Sequence, residues 1–350
     1  MFYYLNKALK LNKLDALFID SPQNIFYLTG YKGFSAEEKD AKILITKKRN
    51  YLFTDKRYLG ELTNLKNFEL TEISLFKEIL QKNKIKNAGF EESSITFSEY
   101  KYFKKIFTNF KPLENPIEKL REIKNQEEIK KIRKACRLSD LGFSFILKQI
   151  KENVTENELA AKLEIFLKEN HADISFKPIV AFGKNSAVPH HLNSNIKLKK
   201  GNIVLIDIGA KIDGYCSDMT RTVFFGSPTL KFKRMYQTVL SAQKVAVEVI
   251  NKSRLKIKAS DVDKAAREYI IQQGYETIPH SLGHGIGIDV HEKPNLSPNS
   301  KSILKNGMIF SIEPGIYLNG YGGVRIEDLY LLTNKKLEKI THSTSKIISL

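Results

Sequence analysis

Between Ile203 and Phe225, and again between Met308 and Leu332, acidic residues interrupt stretches that otherwise read as buried β-structure. The first stretch runs Ile203-Val-Leu-Ile-Asp-Ile-Gly-Ala210, then Lys-Ile-Asp-Gly214, then Tyr215-Cys-Ser-Asp-Met-Thr-Arg-Thr-Val-Phe-Phe225. Two β-rich runs around a polar tetrad read as a hairpin. A turn centred between Ile212 and Asp213 sets Asp207 opposite Asp218, with both carboxylates on one face. Two unscreened carboxylates about 4 Å apart repel by roughly 4 kcal/mol at an effective dielectric near 20, so such a fold needs a cation or a shared proton between them. Taken alone, this hairpin favours a simpler reading, with Asp218 exposed and Asp207 ending its strand.

The second stretch changes that. Met308-Ile-Phe-Ser-Ile-Glu-Pro-Gly-Ile-Tyr317 and Gly323-Val-Arg-Ile-Glu-Asp-Leu-Tyr-Leu-Leu332 flank a glycine-rich turn, and centring it on Gly320 sets Glu313 opposite Glu327. Two hairpins, each with a facing acidic pair, are poorly explained as solvated surface. Between them, His280-Ser-Leu-Gly-His-Gly-Ile-Gly-Ile-Asp-Val-His-Glu292 supplies imidazoles on a glycine-rich segment. Four carboxylates with an imidazole make an oxygen-rich donor set suited to two divalent cations of the manganese, cobalt, iron or zinc kind.

The order Asp207, Asp218, His284, Glu313, Glu327 resembles the pita-bread metallopeptidases, the family of methionine aminopeptidase, aminopeptidase P and prolidase. Asp-Ile-Gly-Ala, Ser-Asp-Met-Thr-Arg-Thr, Gly-His-Gly-Ile-Gly, Ile-Glu-Pro-Gly-Ile-Tyr and Val-Arg-Ile-Glu-Asp each match blocks of that family, in order. The resemblance implies that Asp207 serves one metal, His284 and Glu313 the other, and that Asp218 and Glu327 bridge both. Manganese is the first candidate, with cobalt, zinc or iron as alternatives.

The elements around these blocks are legible too. The chain has 350 residues, enough for two domains with ample cores. Residues 1–118 read as a smaller α/β domain: a strand at Asp15–Asp20, a turn at Ser21-Pro22, a hairpin pairing 41–46 with 51–55, and a strand at Asn87–Glu92. Through Asn24-Ile-Phe-Tyr-Leu-Thr-Gly30 and Thr54-Asp-Lys-Arg-Tyr58 it resembles the creatinase-like amino-terminal domain of aminopeptidase P and prolidase. Pro112 and Pro116 bracket the expected boundary. Residues 119–350 then form an α+β catalytic domain, an antiparallel sheet holding the metals with helices covering its back. Capping boxes at Asn125/Glu128 and Thr155/Glu158 open two helices; others are expected at 235–249 and, capped by Ser260, at 262–273 before Gly274.

Several function classes fall away. Cys136 and Cys216 have no ligand spacing, exclude a disulfide framework and fit a reducing cytoplasm. No run reaches the roughly 18 apolar residues of a spanning helix, and the amino terminus lacks a signal-peptide core. The formal charge of +18 is spread along the chain as lysine, so solvated surface is favoured over a specific nucleic-acid site.

In Ala187-Val-Pro-His-His191 adjacent histidines on an extended chain point to opposite sides. The family places a histidine directly after this Pro, so the resemblance selects His190 as the inward one. In that scheme a pair of cations supplies an acidified water, and Glu313 moves its proton towards the leaving nitrogen. His190 and His291 stabilise the developing oxyanion and hold the substrate, while His280 and Arg325 line the substrate pocket. Thr220 and Thr222 are candidates to orient carboxylates. The extra domain, the Pro-His-His block and Ile288-Asp-Val-His-Glu292 favour the proline-specific branch: an Xaa-Pro aminopeptidase like aminopeptidase P first, and prolidase, an Xaa-Pro dipeptidase, as the alternative. Methionine aminopeptidase activity and a metal-free binding protein rank below both. The substrate would be a peptide or dipeptide with proline second, and the resemblance implies a homodimer.

Overall fold

The computed structural model describes residues 2–35, 37–63, 65–114, 116–253, 257–334 and 336–350. The chain divides into two compact units, Met1–Arg121 and Glu122–Leu350. The boundary expected after residue 118 falls inside the short helix Pro116–Arg121, because Pro116 opens that helix. Proline has no N–H to lose at a first helical position.

The first unit is built on one mixed sheet of six strands, in spatial order Glu69–Glu72, Asn50–Thr54, Ala41–Thr46, Ala16–Ile19, Asn87–Glu91 and Asn109–Leu113. Its apolar strands are buried on both faces, and side chains alternate between them. Leu17, Ile19, Ile43 and Ile45 pack with Leu5, Leu9 and Ile25 of two helices. Ala16, Phe18 and Leu44 pack on the other side with Phe76, Phe103 and Phe110. Ser21 and Pro22 do more than turn the chain: Ser21 caps the helix Pro22–Thr29, which Gly30 ends at a φ of 75°.

In the second unit the helices come in two pairs, each backing one acidic hairpin. Gln126–Leu147 and Glu156–Glu169 open with the capping boxes at Asn125/Glu128 and Thr155/Glu158. They pack Phe143, Leu159 and Leu163 onto Val204, Ile206 and Ile208. The other pair is Leu230–Lys252 and Ala259–Gln272, which packs Val239, Ala246, Val262 and Ile270 onto Phe310, Ile312, Val324 and Ile326. Ser260 does not cap this last helix. It lies within the first turn, after Lys258, which supplies no side-chain cap.

Because side chains on a strand alternate, the residues between those core positions face away from the helices. On the first hairpin these are Asp207 and Thr220, directly paired between Ile203–Ile208 and Met219–Phe224. On the second they are Ser311, Glu313, Arg325 and Glu327. The second hairpin pairs Ile309–Ile312 with Asp328–Leu332, then continues as Gly315–Leu318 against Gly322–Arg325. A buried knot fastens the two hairpins behind the acids. Arg221 bonds Asp328 Oδ1 at 2.5 Å and Thr220 O at 2.9 Å, while Gln243 donates to Ile312 O, Ile326 O and Asp328 Oδ2. Among the described residues no helix is long and apolar enough to cross a membrane.

Candidate metal centre

The register of the second hairpin sets Glu313 opposite Glu327, continuing the pairing of Ile312 with Asp328 and of Gly315 with Arg325. That of the first hairpin differs from the sequence reading. Ile212 pairs with Tyr215 across a two-residue turn, Asp213-Gly214, whose φ angles of 53° and 81° are both positive. This turn matches the right-handed twist of the strands, and Asp-Gly is its favoured sequence. The turn centre moves by one residue, so Asp207 pairs with Thr220, and Asp218 falls opposite Gly209 at the strand end. A shift of two positions preserves the face. Both aspartates therefore still point into the same space.

The strand Gly283–Gly285 brings His284 to this space. Its Nδ1 lies 3.1 Å from Gly285 O, which as an N–H donor leaves Nε2 facing the acids: 3.2 Å from Glu313 Oε1 and 3.6 Å from Asp218 Oδ2. Ser311 fixes two of the partners, accepting from His284 N at 3.0 Å and donating to Glu313 Oε1 at 3.0 Å. Ligand atoms of Asp218, His284 and Glu327 all lie within 4.8 Å of one another.

Asp207 Oδ1, Asp218 Oδ1 and Glu327 Oε1 are buried and have no hydrogen-bond partner. Leaving a buried polar atom unsatisfied costs about 1–3 kcal/mol, and more when it is charged. One such atom on each of three converging acids, with His284 beside two of them, fits a divalent-cation site. Without cations, burial and the neighbouring carboxylates push Asp218 and Glu327 well above the usual carboxylate range. Burial also raises Glu313, but the hydrogen bond and charge of His284 outweigh it and bring Glu313 down to about 2.

Around the acids is a layer that the sequence only half discloses. Thr220 donates to Glu327 Oε2 at 2.7 Å and accepts from Arg325 Nε at 3.0 Å. Arg325 also donates to Asp207 Oδ2 at 2.7 Å, Tyr317 Oη at 3.0 Å and Pro189 O at 3.3 Å, so all three of its side-chain nitrogens are committed within the protein. Thr222 Oγ1 bonds the backbone of Arg325 rather than a carboxylate. Tyr317 lies 2.8 Å from His280 Nε2, and burial raises this phenol to about 12 while lowering the His280 imidazole. In sequence Tyr317 carries no functional signal, because a tyrosine on a strand reads as packing.

The two adjacent histidines separate. His191 is held 2.8 Å from Glu156, and His190 is exposed in the cavity wall. Glu156 is itself fully buried and gathers Phe182 N, Asn185 Nδ2, Ser194 N and Ser194 Oγ as well. In sequence it is an ordinary acid in the first turn of a helix, and nothing local marks it as the anchor of the His190 loop. His291 packs edge-on against His284, ring centres 4.3 Å apart, and burial lowers its pKa. The next residue, Glu292, accepts from Ile288 N and Asp289 N and from the buried Lys124 at 3.1 Å, which fixes the turn leading to His291.

These groups line a cavity of about 730 Å³, with the four acids and His284 in its wall and Phe176, Pro178, Ile179 and Leu192 adding apolar surface. Proteins of similar sequence and fold are known. An Xaa-Pro dipeptidase of Pyrococcus furiosus is 35% identical over 98% of this chain and 98% of that protein. A solved Xaa-Pro dipeptidase from Bacillus anthracis superposes with a TM-score of 0.94 at 35% identity, over 100% of this chain and 99% of the other. A solved X-Pro aminopeptidase from Thermotoga maritima gives 0.88 at 32%, over 98% and 100%. Residues 130–334 match metallopeptidase family M24, and residues 3–123 match the creatinase/prolidase N-terminal domain. A creatinase-type domain followed in sequence by a pita-bread domain thus has full-length counterparts, and the chain belongs to metallopeptidase family M24.

Proposed function

We propose that this metallopeptidase hydrolyses the Xaa-Pro bond of dipeptides, with two divalent cations held by Asp207, Asp218, His284, Glu313 and Glu327. The observation that carries the reading is the set of three unpartnered carboxylate oxygens aimed into one cavity. The sequence put the aminopeptidase first and the dipeptidase second. Relatives matched along the whole chain and named Xaa-Pro dipeptidase reverse that order. The aminopeptidase stays as the second reading because the Thermotoga enzyme, at 32% identity, has the same architecture.

Bound in this site, two cations would supply Lewis acidity and lower the pKa of water; manganese, cobalt, zinc and iron all suit a donor set of four carboxylates and one imidazole. The assignment gives Asp207 to one ion, His284 and Glu313 to the other, and Asp218 and Glu327 to both. Glu313 carries the proton of the nucleophile to the proline nitrogen as the bond breaks. His190, exposed in the wall, donates to the carbonyl oxygen as negative charge grows there. His291, steadied through Glu292, holds the substrate chain. Arg325, bonded to Asp207 and Tyr317, orients the acid in place of the substrate contact expected from sequence; His280 stands behind it through Tyr317. Homodimerisation and a reducing compartment, which two buried free thiols fit, belong to the same proposal.

The test is steady-state turnover of metal-reconstituted protein on Ala-Pro and on Ala-Pro-Ala. A higher kcat/KM for the dipeptide is expected. Turnover of the tripeptide alone favours the aminopeptidase, and turnover of neither refutes the reading.

A further inference from the structure

A dipeptide differs from a longer peptide by the free carboxylate on its second residue, so a site that selects dipeptides needs a cation available to that group. Apart from the histidines, two basic side chains line the cavity, Arg325 and Lys177. Arg325 is 4% exposed, and its guanidinium is spent on Thr220, Asp207, Tyr317 and Pro189. Lys177 is exposed, and among the described residues it has no ion pair or hydrogen bond. A lysine in the wall of the cavity that holds the four acids, paired with none of them, is available to an incoming anion.

The backbone on either side of Lys177 is fixed. Ser175 donates from its backbone N to Gly209 O at 2.9 Å and from its hydroxyl to Ser217 O at 2.9 Å, residues that adjoin the metal-site hairpin between Asp207 and Asp218. On the far side Asn193 accepts from Val180 N at 2.8 Å and donates to Pro178 O at 2.8 Å. The lysine therefore springs from a segment clamped to the same hairpin as the acids. It is flanked by Phe176 and Pro178, apolar groups suited to a pyrrolidine ring.

We propose that Lys177 recognises the free carboxylate of the dipeptide and so sets the preference for dipeptides. This inference rests on the Xaa-Pro dipeptidase reading above. Lys177 contributes to binding and has no part in the proton transfers, so its loss falls mainly on KM.

The experiment compares metal-loaded wild type, Lys177→Met and Lys177→Arg on Ala-Pro and on Ala-Pro amide, which lacks the charged carboxylate. One charge-assisted hydrogen bond corresponds to roughly a 10- to 100-fold change. Lys177→Met is expected to lose about that much kcat/KM on Ala-Pro, through KM, and to stay within about twofold on the amide. Lys177→Arg is expected to recover most of the loss. A calorimetric titration adds a readout without turnover: proline binding weakens about tenfold or more in Lys177→Met, and prolinamide binding does not change. Equal losses on dipeptide and amide, or full Ala-Pro activity in Lys177→Met, overturn the assignment while leaving the dipeptidase reading intact. A wild type inert on Ala-Pro overturns both.

Discussion

Replacing Thr220 by valine tests whether the metal site depends on the layer behind it. The change is close to isosteric and removes only the hydroxyl, which is fully buried, donates to Glu327 Oε2 at 2.7 Å and accepts from Arg325 Nε at 3.0 Å. A hydrogen bond to a charged group is worth about 1.5–3 kcal/mol, and no water can replace the donor at a site with no solvent exposure. Loss of a partner that orients a metal-binding side chain lowers metal affinity about 10- to 100-fold, or roughly 1.4–2.7 kcal/mol, so the two estimates agree. Calorimetric titration of metal-free protein with Mn²⁺ is expected to show that weakening in Thr220→Val. Thr220→Ser, which keeps the hydroxyl, should stay within about threefold. Equal affinity in wild type and the valine variant would refute the idea that Thr220 holds Glu327 for metal.

Three further outcomes follow from the same geometry. Asp218→Ala and Glu327→Ala should each retain less metal after dialysis than Asp207→Ala, because each is assigned to two ions; full metal content in both would sink that assignment. His190→Ala should keep its metal and lose about 10²-fold or more in kcat, as oxyanion donors do. His191→Ala should stay within a few-fold, since Glu156 keeps four other donors; steady-state kinetics with metal analysis on the same samples decides, and a crippled His191 variant reverses the choice. In the first unit, burial pushes Glu91 up to about 8 from an ordinary 4.5. The folded state therefore holds a proton that the unfolded chain releases, so this stability is complete below pH 4.5 and lost as pH rises through about 8. The slope between those limits reaches about 1.4 kcal/mol per pH unit. Glu91→Gln should flatten the pH profile of Tm between pH 5 and 8, and an unchanged slope would exclude Glu91 as its source.

How much of this was readable in advance depended on whether the signal was local. The capping boxes at Asn125 and Thr155 were readable because all their partners lie within four residues. The second hairpin was placed correctly because Gly320, at a φ of 75°, marks its turn. The first was set two positions off because Asp213-Gly214 was not given its own turn geometry. The four acids could be singled out because charge in an apolar strand is expensive and stands out. Glu156, Tyr317 and Lys124 could not. Their partners are respectively 26–38, 8–37 and 168 residues away, and each has a bland local explanation. Arg325 stood out as a charge, but only the fold shows that its bonds are used up internally.

The knot of Arg221 and Asp328 has a consequence for how such a chain can change over generations. Both side chains are almost wholly enclosed, at 1% and 0% exposure, and they bind strands from different hairpins. Losing Asp328 leaves the buried Arg221 guanidinium with backbone carbonyls alone and costs about 3–5 kcal/mol, whereas losing Arg221 leaves Asp328 with Lys339 Nζ at 3.2 Å, Thr341 and Gln243. A typical domain has only about 5–15 kcal/mol of stability in hand, so a single change here consumes a large part of it. A lineage that loses Asp328 first therefore meets a steep drop in stability, whereas one that loses Arg221 first keeps a counter-charge on Asp328. The order in which the two positions change is constrained along with the pair itself.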